Sequence, residues 1–373
     1  MSQPPLRVLH VAAGNLFGGI ERMLLTIVSA RQGDGVHEVA VSLDGRLARE
    51  LRAAGSAPHV LGAARFRRPD SVWRARRVLS RRLAAARPDA VICHAPWSAA
   101  LAGPVVRRAG LPLLMYAHDA PDPHGWPERR LARLPPDRCV CNSQHTAAAI
   151  ARWLPDVPRD VVHPPVAAAI AITAEERRAL RAGLGAGDGT TVILMASRLE
   201  EWKGQRVLLA AAERLRGDAT VWIAGGAQRP AEALYLDELV RLAARSAIDV
   251  RFLGERNDVP SLMAAADVYC QPNTTPEPFG IAFVEALAAG VPVVTTAFGG
   301  ALEIVDDTCG VLVDTASAEP FAAALQELID SPARRASLAA AAPSRAHRVS
   351  DPIARLSDLH RVVRADLART SAA

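Results

Sequence analysis

The most informative stretch of this sequence is PNTTPEPFGIAFVEALAAGVP, at residues 272–292. We expect a helix in this stretch, with Pro278 in the first helical position, where a proline is well tolerated. The backbone amides of Phe279, Gly280 and Ile281 would then be available as hydrogen-bond donors. Such a helix end binds anionic or hydroxyl oxygens well. The stretch therefore predicts a ligand site at the start of a helix.

Two glutamates in this stretch, Glu277 and Glu285, are eight residues apart. At a helical rise of 1.5 Å per residue, they would be separated by roughly 12 Å along the axis. Paired glycosidase carboxylates lie about 5 to 9.5 Å apart, so a nucleophile and an acid on one bond are not indicated. Carboxylates that hold the two ends of one long ligand, a sugar at one end and a ribose at the other, fit better. An amphipathic helix with an exposed glutamate is the alternative.

A loop with two cations lies upstream of this stretch. Lys203 is the only lysine in the chain, and the other 43 basic residues are arginines. Arg198 and Lys203 follow the strand-like TVILMA at 191–196 and precede the helix-like sequence that begins at Gln205. Strand-to-helix loops are where α/β proteins usually hold anionic ligands. The pair predicts a phosphate or diphosphate site, and a chance surface lysine is the alternative.

Short Val/Ile/Leu runs alternate with Ala/Leu-rich periodic segments along both halves of the chain, which is typical of parallel sheets with helices on both faces. The pattern restarts after a proline-rich stretch at 155–165. We therefore predict an α/β fold of two Rossmann-like, doubly wound domains facing a cleft. The predicted boundaries are 1–165, 166–350, and a C-terminal helix at 351–373 that packs back on the first domain.

Charge and composition narrow the class of protein. The net charge is +5, and residues 65–87 hold nine arginines. A solvated helix face in an arginine-rich protein is the favoured interpretation of this run. Contact with an anionic membrane or a phosphorylated substrate is the functional alternative, and nucleic acid is disfavoured. The sequence begins without a signal-peptide pattern, and no apolar run could span a bilayer. We expect a cytoplasmic protein, with membrane association at the cytoplasmic face as a hypothesis, and Cys139 and Cys141 as reduced core thiols.

The loop after the first strand contains Gly18 and Gly19, whose lack of a side chain lets backbone amides approach a ligand phosphate. The loop does not match the dinucleotide-binding pattern GxGxxG, and Lys203 is not part of a P-loop. A tight strand-to-helix turn without a ligand is the alternative.

Together, these residues resemble the retaining GT-B glycosyltransferases with a Glu-x7-Glu motif (family 4 type, "glycosyl transferases group 1"). The resemblance covers nearly the whole chain and is strongest at 192–305. It implies a first, acceptor-side domain and a second domain that binds a nucleotide sugar, with the acceptor left open among glycan, lipid-linked and small-molecule types. It also implies transfer with retention and without a metal ion or cofactor, and no Asp-x-Asp pair is present.

The resemblance assigns roles to individual residues. Arg198 and Lys203 would bind the donor diphosphate, Glu285 the ribose, Glu277 the sugar hydroxyls, and Arg256 would lie in the stretch that holds the base. The remaining donor-site residues would be Gly18, Gly19, Phe279, Gly280 and Ile281, with His118 beside the transferred sugar. His94 and Trp97 are candidates for the acceptor side, and Asp119 could orient His118 or face the acceptor.

Three alternative functions stay open at this point. A sugar-nucleotide epimerase shares the architecture and would turn over without an acceptor. A pyridoxal-phosphate phosphorylase would need Lys203 as its Schiff-base lysine, and the chain is short for that class. A non-catalytic sugar-nucleotide or membrane-binding protein is disfavoured by the completeness of the cations, the helix end and the glutamate pair.

Overall fold

The computed structural model describes residues 5–14, 17–30, 35–227 and 229–372. The chain divides into two units, of which the first comprises Met1–Val166 with Ser350–Ala373 and the second comprises Ala167–Val349. The C-terminal helix is thus grouped with the first unit.

The first unit is built on a parallel sheet of seven strands in the order β3-β2-β1-β4-β5-β6-β7. The strands are β1 (Leu6–Ala12), β2 (Gly35–Val41), β3 (His59–Val60), β4 (Ala90–His94), β5 (Leu113–Ala117), β6 (Arg138–Cys141) and β7 (Arg159–Val161). The helices are α1 (Gly19–Ser29), α2 (Arg46–Ala53), α3 (Pro69–Ala86), α4 (Ala95–Arg108), α5 (Trp126–Arg133), α6 (Gln144–Trp153) and the C-terminal α15 (Pro352–Ala372).

Both faces of this sheet are buried, which explains why its central strands lack hydrophobic-polar alternation. Leu9 and Val11 of β1 belong to one core cluster, together with residues of α3 and α4. Ala12 belongs to a second cluster, with Leu24 of α1 and Leu47 of α2. Successive side chains of a strand point to opposite faces, so β1 contributes to a helix layer on each side.

The second unit is built on a parallel sheet of six strands in the order β10-β9-β8-β11-β12-β13. The strands are β8 (Thr191–Ala196), β9 (Ala219–Ala224), β10 (Asp249–Gly254), β11 (Val268–Gln271), β12 (Val293–Thr296) and β13 (Gly310–Val313). The helices are α7 (Ala174–Gly183), α8 (Gln205–Ala212), α9 (Pro230–Ala243), α10 (Val259–Ala265), α11 (Ile281–Ala288), α12 (Ala301–Ile304), α13 (Ala318–Asp330) and α14 (Pro332–Ser350).

The predicted α/β class with two Rossmann-like parallel sheets is confirmed. In both sheets the strand order reverses beside the first strand of the unit, at β1/β4 and at β8/β11. Loops that follow neighbouring parallel strands leave the same edge of the sheet, and ligands bind there in doubly wound folds.

Two short strands were not predicted. β7 lies inside the proline-rich stretch at 155–165, and β3 lies between β2 and α3, where the arginine-rich sequence up to residue 86 predicts only helix. Both are edge strands, where few ladder hydrogen bonds are needed and local sequence carries little strand signal. The sequence at 20–31 also predicts a helix. In the structure that helix, α1, begins at Gly19, and Arg31 lies outside the described residues.

Among the helices that the structure describes, none combines the length and the apolarity that crossing a lipid bilayer requires.

Candidate active site

The loop between β8 and α8 brings the lone lysine close to the next strand of the sheet. A short 3₁₀ turn (Glu201–Lys203) ends at Gly204, which has a left-handed φ of 85°. A Cβ atom at Gly204 would collide with the carbonyl of Pro272, which follows β11. Glycine is therefore required here, because the chain must both turn left-handed and pass against another backbone.

Lys203 and Glu277 form an ion pair at this edge of the second sheet. Nζ of Lys203 lies 2.7 Å from Oε2 of Glu277, with 14% and 10% of the two side chains exposed. The same ammonium group lies 3.8 Å from the centre of the Trp202 ring, a cation–π contact. The structure thus brings together a predicted phosphate-binding residue and a predicted sugar-binding residue.

Amide side chains that the sequence analysis missed hold Glu277 in place. Asn273 Nδ2 and Gln271 Nε2 donate to Oε2 of Glu277 over 2.9 and 3.1 Å. Gln271 also donates to Oδ1 of Asn273, and the Tyr269 hydroxyl donates to Oε1 of Gln271. Three donors, counting Lys203, therefore converge on one carboxylate oxygen. Within the described residues, the other oxygen of Glu277, Oε1, has no hydrogen-bond partner.

One feature of the sequence could have indicated this network: the apolar strand β11 ends in polar residues. Gln271 is the last residue of β11 and Asn273 follows it closely, at the carboxyl edge of the sheet. Polar side chains at that position of a parallel strand indicate a site. Thr295 and Thr296 of β12 fix the backbone at Gln271 and Asn273, because the two threonine hydroxyls donate to the carbonyl oxygens of those residues.

The helix predicted to start at Pro278 begins three residues later, so that prediction is wrong. α11 begins at Ile281, and its N-cap residue Gly280 has a left-handed φ of 110°. Glu277 instead forms a parallel bridge with Gly299, and its carbonyl accepts from the amide of Gly300. A left-handed residue cannot lie inside a right-handed helix, so the two glutamates are not on one continuous helix. The 12 Å separation derived from helical rise therefore does not apply.

Glu285 lies on α11 and is half-buried between Val284 and Ala286. Burial raises the pKa of the Tyr269 hydroxyl well above its ordinary value, and the nearby carboxylates of Glu277 and Glu285 raise it further. Tyr269 is therefore a neutral hydrogen-bond donor in the neighbourhood of both glutamates. Their roles toward ribose and sugar stay predictions.

The two arginines predicted at the donor site each pair with a carboxylate close in sequence. Arg198 lies 2.7 Å from Oε1 of Glu200 and is about one third exposed. Arg256 follows β10 and makes a bidentate pair with Asp258, at 2.8 and 2.6 Å. This pair lowers the pKa of Asp258 below its ordinary value through the hydrogen bonds from Arg256. Contacts of either guanidinium with a ligand remain predictions.

In the first unit, the Gly18–Gly19 pair begins α1. Gly18 is the N-cap residue, and its amide donates to Oε2 of Glu21 over 2.9 Å. The preceding residues 15 and 16 lie outside the described part of the chain. The glycines thus stand at the carboxyl edge of the first sheet, at a helix N-terminus, where an approach to phosphate stays a prediction.

His118 lies directly after β5, at the same edge of the first sheet. Its ring stacks on Tyr116, with centroids 4.6 Å apart and planes inclined by 3°. Its Nε2 lies 2.9 Å from Nδ1 of His94, and Asn142 donates to its carbonyl oxygen. Desolvation lowers the pKa of His118 from 6.5 to about 3, so the ring is neutral near pH 7.

The residues considered for the acceptor side occupy different places. His94 is only 3% exposed and lies behind His118, so it does not line an open surface. Trp97 packs against the first core and makes an edge-to-face contact with Phe66. The carboxylate of Asp119 accepts from the amide of Ala120. Phe66 also contacts Trp126, which is 43% exposed and was not singled out from the sequence.

The arginines of residues 65–87 do not form a uniform face. Arg76 donates to two carbonyl oxygens of α4, and Arg82 pairs with Glu38 of β2. Others line an open cavity of about 510 Å³. The lining residues of that cavity are Leu61, Gly62, Ala63, Arg65, Arg68, Ser71, Arg74 and Val78. Part of the run is therefore structural, and part presents cations at one cavity.

Within the described residues, no group of three or more His, Cys, Asp or Glu side chains is arranged to hold a metal ion.

Two family models match this chain, and together they span most of it. Residues 17–170 match the model described as Glycosyltransferase Family 4, and residues 176–345 match Glycosyl transferases group 1. The chain belongs to the family 4 glycosyltransferases. The second sheet and every strand of the first sheet except β1 lie within the matched ranges, together with the loops described above.

Relatives of this chain include glycosyltransferases whose names contain inositol compounds. A GDP-mannose-dependent monoacylated alpha-(1-6)-phosphatidylinositol monomannoside mannosyltransferase of Corynebacterium glutamicum is 38% identical over 186 residues, 47% of each chain. A D-inositol 3-phosphate glycosyltransferase of Xylanimonas cellulosilytica is 36% identical over 197 residues, 52% of this chain and 46% of the relative. The matched stretches thus span less than half the length of these relatives.

Solved structures show the same fold over the whole chain. HepE of Anabaena, solved with UDP and glucose, superposes with a TM-score of 0.82 at 23% identity, over 96% of this glycosyltransferase and 100% of that chain. Sucrose-phosphate synthase of Thermosynechococcus elongatus superposes with a TM-score of 0.77 at 17% identity, over 98% and 100%. At these identities, the likeness concerns the fold.

Proposed function

We propose that this protein transfers a hexosyl group from a nucleoside-diphosphate sugar to an acceptor hydroxyl, with retention of the anomeric configuration. The observation that carries the proposal is the Lys203–Glu277 pair at 2.7 Å, on loops that follow adjacent strands. A cation for the diphosphate and a carboxylate for the sugar stand side by side, as the junction between diphosphate and sugar requires.

The reaction breaks the bond between the anomeric carbon and the diphosphate oxygen and forms a bond from that carbon to the acceptor oxygen. Negative charge develops on the departing diphosphate, whose leaving oxygen takes up the proton that the acceptor hydroxyl loses. A preorganised ammonium group stabilises such charge without reorganisation cost, and a guanidinium can share the task. We assign this role to Lys203 and Arg198, with no metal ion or cofactor required.

Glu277 positions the sugar in this proposal. Its Oε2 is saturated by Lys203, Asn273 and Gln271, while Oε1 has no partner among the described residues. A hydroxyl group of the donor sugar can donate to Oε1, because a carboxylate oxygen only accepts hydrogen bonds. Glu285 is assigned to the ribose hydroxyls.

We propose an anionic, inositol-type acceptor. The relatives' names specify phosphatidylinositol mannoside and inositol 3-phosphate as acceptors. The cavity lined by Arg65, Arg68 and Arg74 in the first unit provides cations for a phosphate group. The same arginines would attract an anionic membrane surface if the acceptor is a lipid.

The experiment is a donor–acceptor matrix with the purified protein. GDP-mannose, UDP-glucose and UDP-N-acetylglucosamine are each incubated with inositol 3-phosphate or with phosphatidylinositol vesicles, and the anomeric configuration of any product is read by NMR. One pair that yields an α-linked product from an α-linked donor supports the proposal. A β-linked product would overturn retention. Sugar-nucleotide turnover without an acceptor would indicate an epimerase instead.

A further inference from the structure

Five of the ten histidines form one continuous hydrogen-bonded row in the first unit. In order, the row contains His360 of α15, His37 of β2, His10 of β1, His94 at the end of β4, and His118 after β5. Neighbouring ring nitrogens lie 2.8 to 2.9 Å apart, and neighbouring ring centres lie 5.1 to 5.2 Å apart. The row crosses four strands and ends at the candidate site.

Strand register explains how the row forms. His37 is paired in register with Val8, and His10 lies two residues beyond Val8 on β1. His10 is paired with Ile92, and His94 lies two residues beyond it on β4. The same step leads from Tyr116, the partner of His94, to His118. Each step moves one strand across and two residues along, so every ring stays on one face of the sheet.

The row has a uniform atomic direction. In His94, His10 and His37, Nδ1 faces the His118 end of the row and Nε2 faces the His360 end. A neutral imidazole has one N–H donor and one acceptor nitrogen. If any one of these rings were reversed in tautomer, two lone pairs or two N–H groups would face each other. Only two neutral arrangements satisfy all four hydrogen bonds, with the donors pointing all toward His118 or all toward His360.

Burial keeps the row neutral. Desolvation lowers the pKa of His10 and His94 well below 6.5, and lowers the pKa of His37 to about 3. His10 is fully buried, and His94 is 3% exposed. A charged imidazolium inside the row is therefore disfavoured. A change at one end can be accommodated only if every ring changes tautomer together.

We propose that this row transmits the hydrogen-bonding state of His360 to His118, and so determines whether His118 Nδ1 offers a lone pair or an N–H to a bound hydroxyl group. Nδ1 of His118 has no hydrogen-bond partner among the described residues. When the row points toward His118, its Nδ1 carries the proton. When the row points toward His360, Nδ1 is an acceptor. His94, His10, His37 and His360 are thus positioning residues, and the assignment of a sugar hydroxyl at His118 rests on the proposed function.

The test is NMR of the full chain with ¹⁵N-labelled histidine, which distinguishes protonated from unprotonated ring nitrogens for each ring. In the wild type at pH 7, we expect His118, His94, His10 and His37 to share one tautomer. The signals are assigned by single substitution. Two different tautomers among these four rings would overturn the proposal, and the variants serve only to assign the wild-type signals.

The coupling itself is tested with His37→Leu and His360→Leu, which remove both nitrogens of one ring at the far end. We expect the His118 nitrogens to change shift in both variants, although His37 lies three rings away. His59→Gln is the matched control, because His59 is a histidine of the same sheet whose ring faces Glu38 and not the row. Unchanged His118 shifts in correctly folded His37→Leu and His360→Leu would overturn the proposal.

The tautomer measurement needs no turnover, so the two proposals can fail separately. If the wild type transfers no sugar in the donor–acceptor matrix, the proposed function fails while the coupling along the row is still decided by NMR.

Discussion

Nζ of Lys203 lies 2.7 Å from Oε2 of Glu277, although 74 positions separate the two residues in the chain. They meet because β8 and β11 are neighbours in a parallel sheet, so the loops that follow both strands leave the same edge. The lone lysine and the first glutamate of the Glu-x7-Glu pattern therefore form a unit. A donor that reaches one of them also reaches the other.

Removal of the lysine ammonium should impair transfer strongly. Lys203→Ala is expected to lower kcat/KM by roughly 10² or more, because a preorganised group that meets the departing diphosphate is lost. Lys203→Arg should also be impaired, since a planar guanidinium does not replace the compact ammonium beside Glu277. Initial rates on folded protein measure both. Arg206→Ala removes a cation one turn away that pairs with Glu238, and serves as the control. Wild-type rates for Lys203→Ala would refute the assignment.

Transfer should not depend on a metal ion. Because Lys203 and Arg198 are assigned to the diphosphate, activity is expected to persist in excess EDTA. The measurement is the initial rate after dialysis against chelator, compared with the rate after Mg²⁺ or Mn²⁺ is added back. A loss of activity that either ion restores would contradict the assignment.

The two glutamates should respond differently to bare nucleotide. Glu285→Ala is expected to weaken binding of the nucleoside diphosphate itself, because the assigned partner of Glu285 is the ribose. Glu277→Ala should reduce affinity for the nucleotide sugar more than for the nucleotide, because its assigned partner is the sugar. A lost charged hydrogen bond corresponds to about 1.5–3 kcal/mol, or roughly 10- to 150-fold in Kd. Calorimetric titration of both variants with both ligands measures this, and equal responses to the nucleotide would disprove it.

The loop that carries Lys203 should tolerate no side chain at Gly204. In Gly204→Ala, the alanine must adopt a φ of 85°, and its Cβ atom would also collide with the Pro272 carbonyl. A non-glycine residue in this region costs about 1–2 kcal/mol, before the collision is counted. Gly254→Ala is the stability control, because its φ of 67° is also left-handed but a Cβ there meets no atom within 4 Å. We expect a larger fall in Tm for Gly204→Ala, and equal falls would show that the close approach is unimportant.

The histidine row should make stability depend on pH. His37 and His118 have folded-state pKa values of about 3, below the 6.5 expected for an unfolded chain. The unfolded chain therefore binds more protons between pH 3 and pH 6.5. The contribution of these rings to the free energy of unfolding is fully present above pH 6.5 and is lost as the pH falls. For each ring, the loss is up to about 1.4 kcal/mol per pH unit.

Unfolding measured between pH 7.5 and pH 4.5 should show this loss, and His37→Leu should reduce its slope. His347→Leu is the control, since His347 is an exposed histidine of the second unit. The same slope in the wild type and in His37→Leu would show that His37 is not held neutral by the fold.

Much of the fold could be predicted from the sequence. Strands such as Leu6–Ala12, Ala90–His94 and Thr191–Ala196 are largely apolar runs, and a run of this kind is a local signal of a strand covered on both faces. The edge strands β3 and β7 were missed, because a strand of two or three residues depends on its neighbour's register and not on its own pattern.

For the site, the sequence by itself determined which residues stand at the carboxyl edge of each sheet, because the order of strand and loop along the chain decides that. Only the tertiary structure decided which of them meet. The left-handed Gly280 separates Glu277 from the helix that carries Glu285. The side chains of Gln271 and Asn273 donate hydrogen bonds to Glu277. The histidine row depends on the registers of four strands and one distant helix. Register is a relation between segments far apart in the chain, so no local pattern contains it.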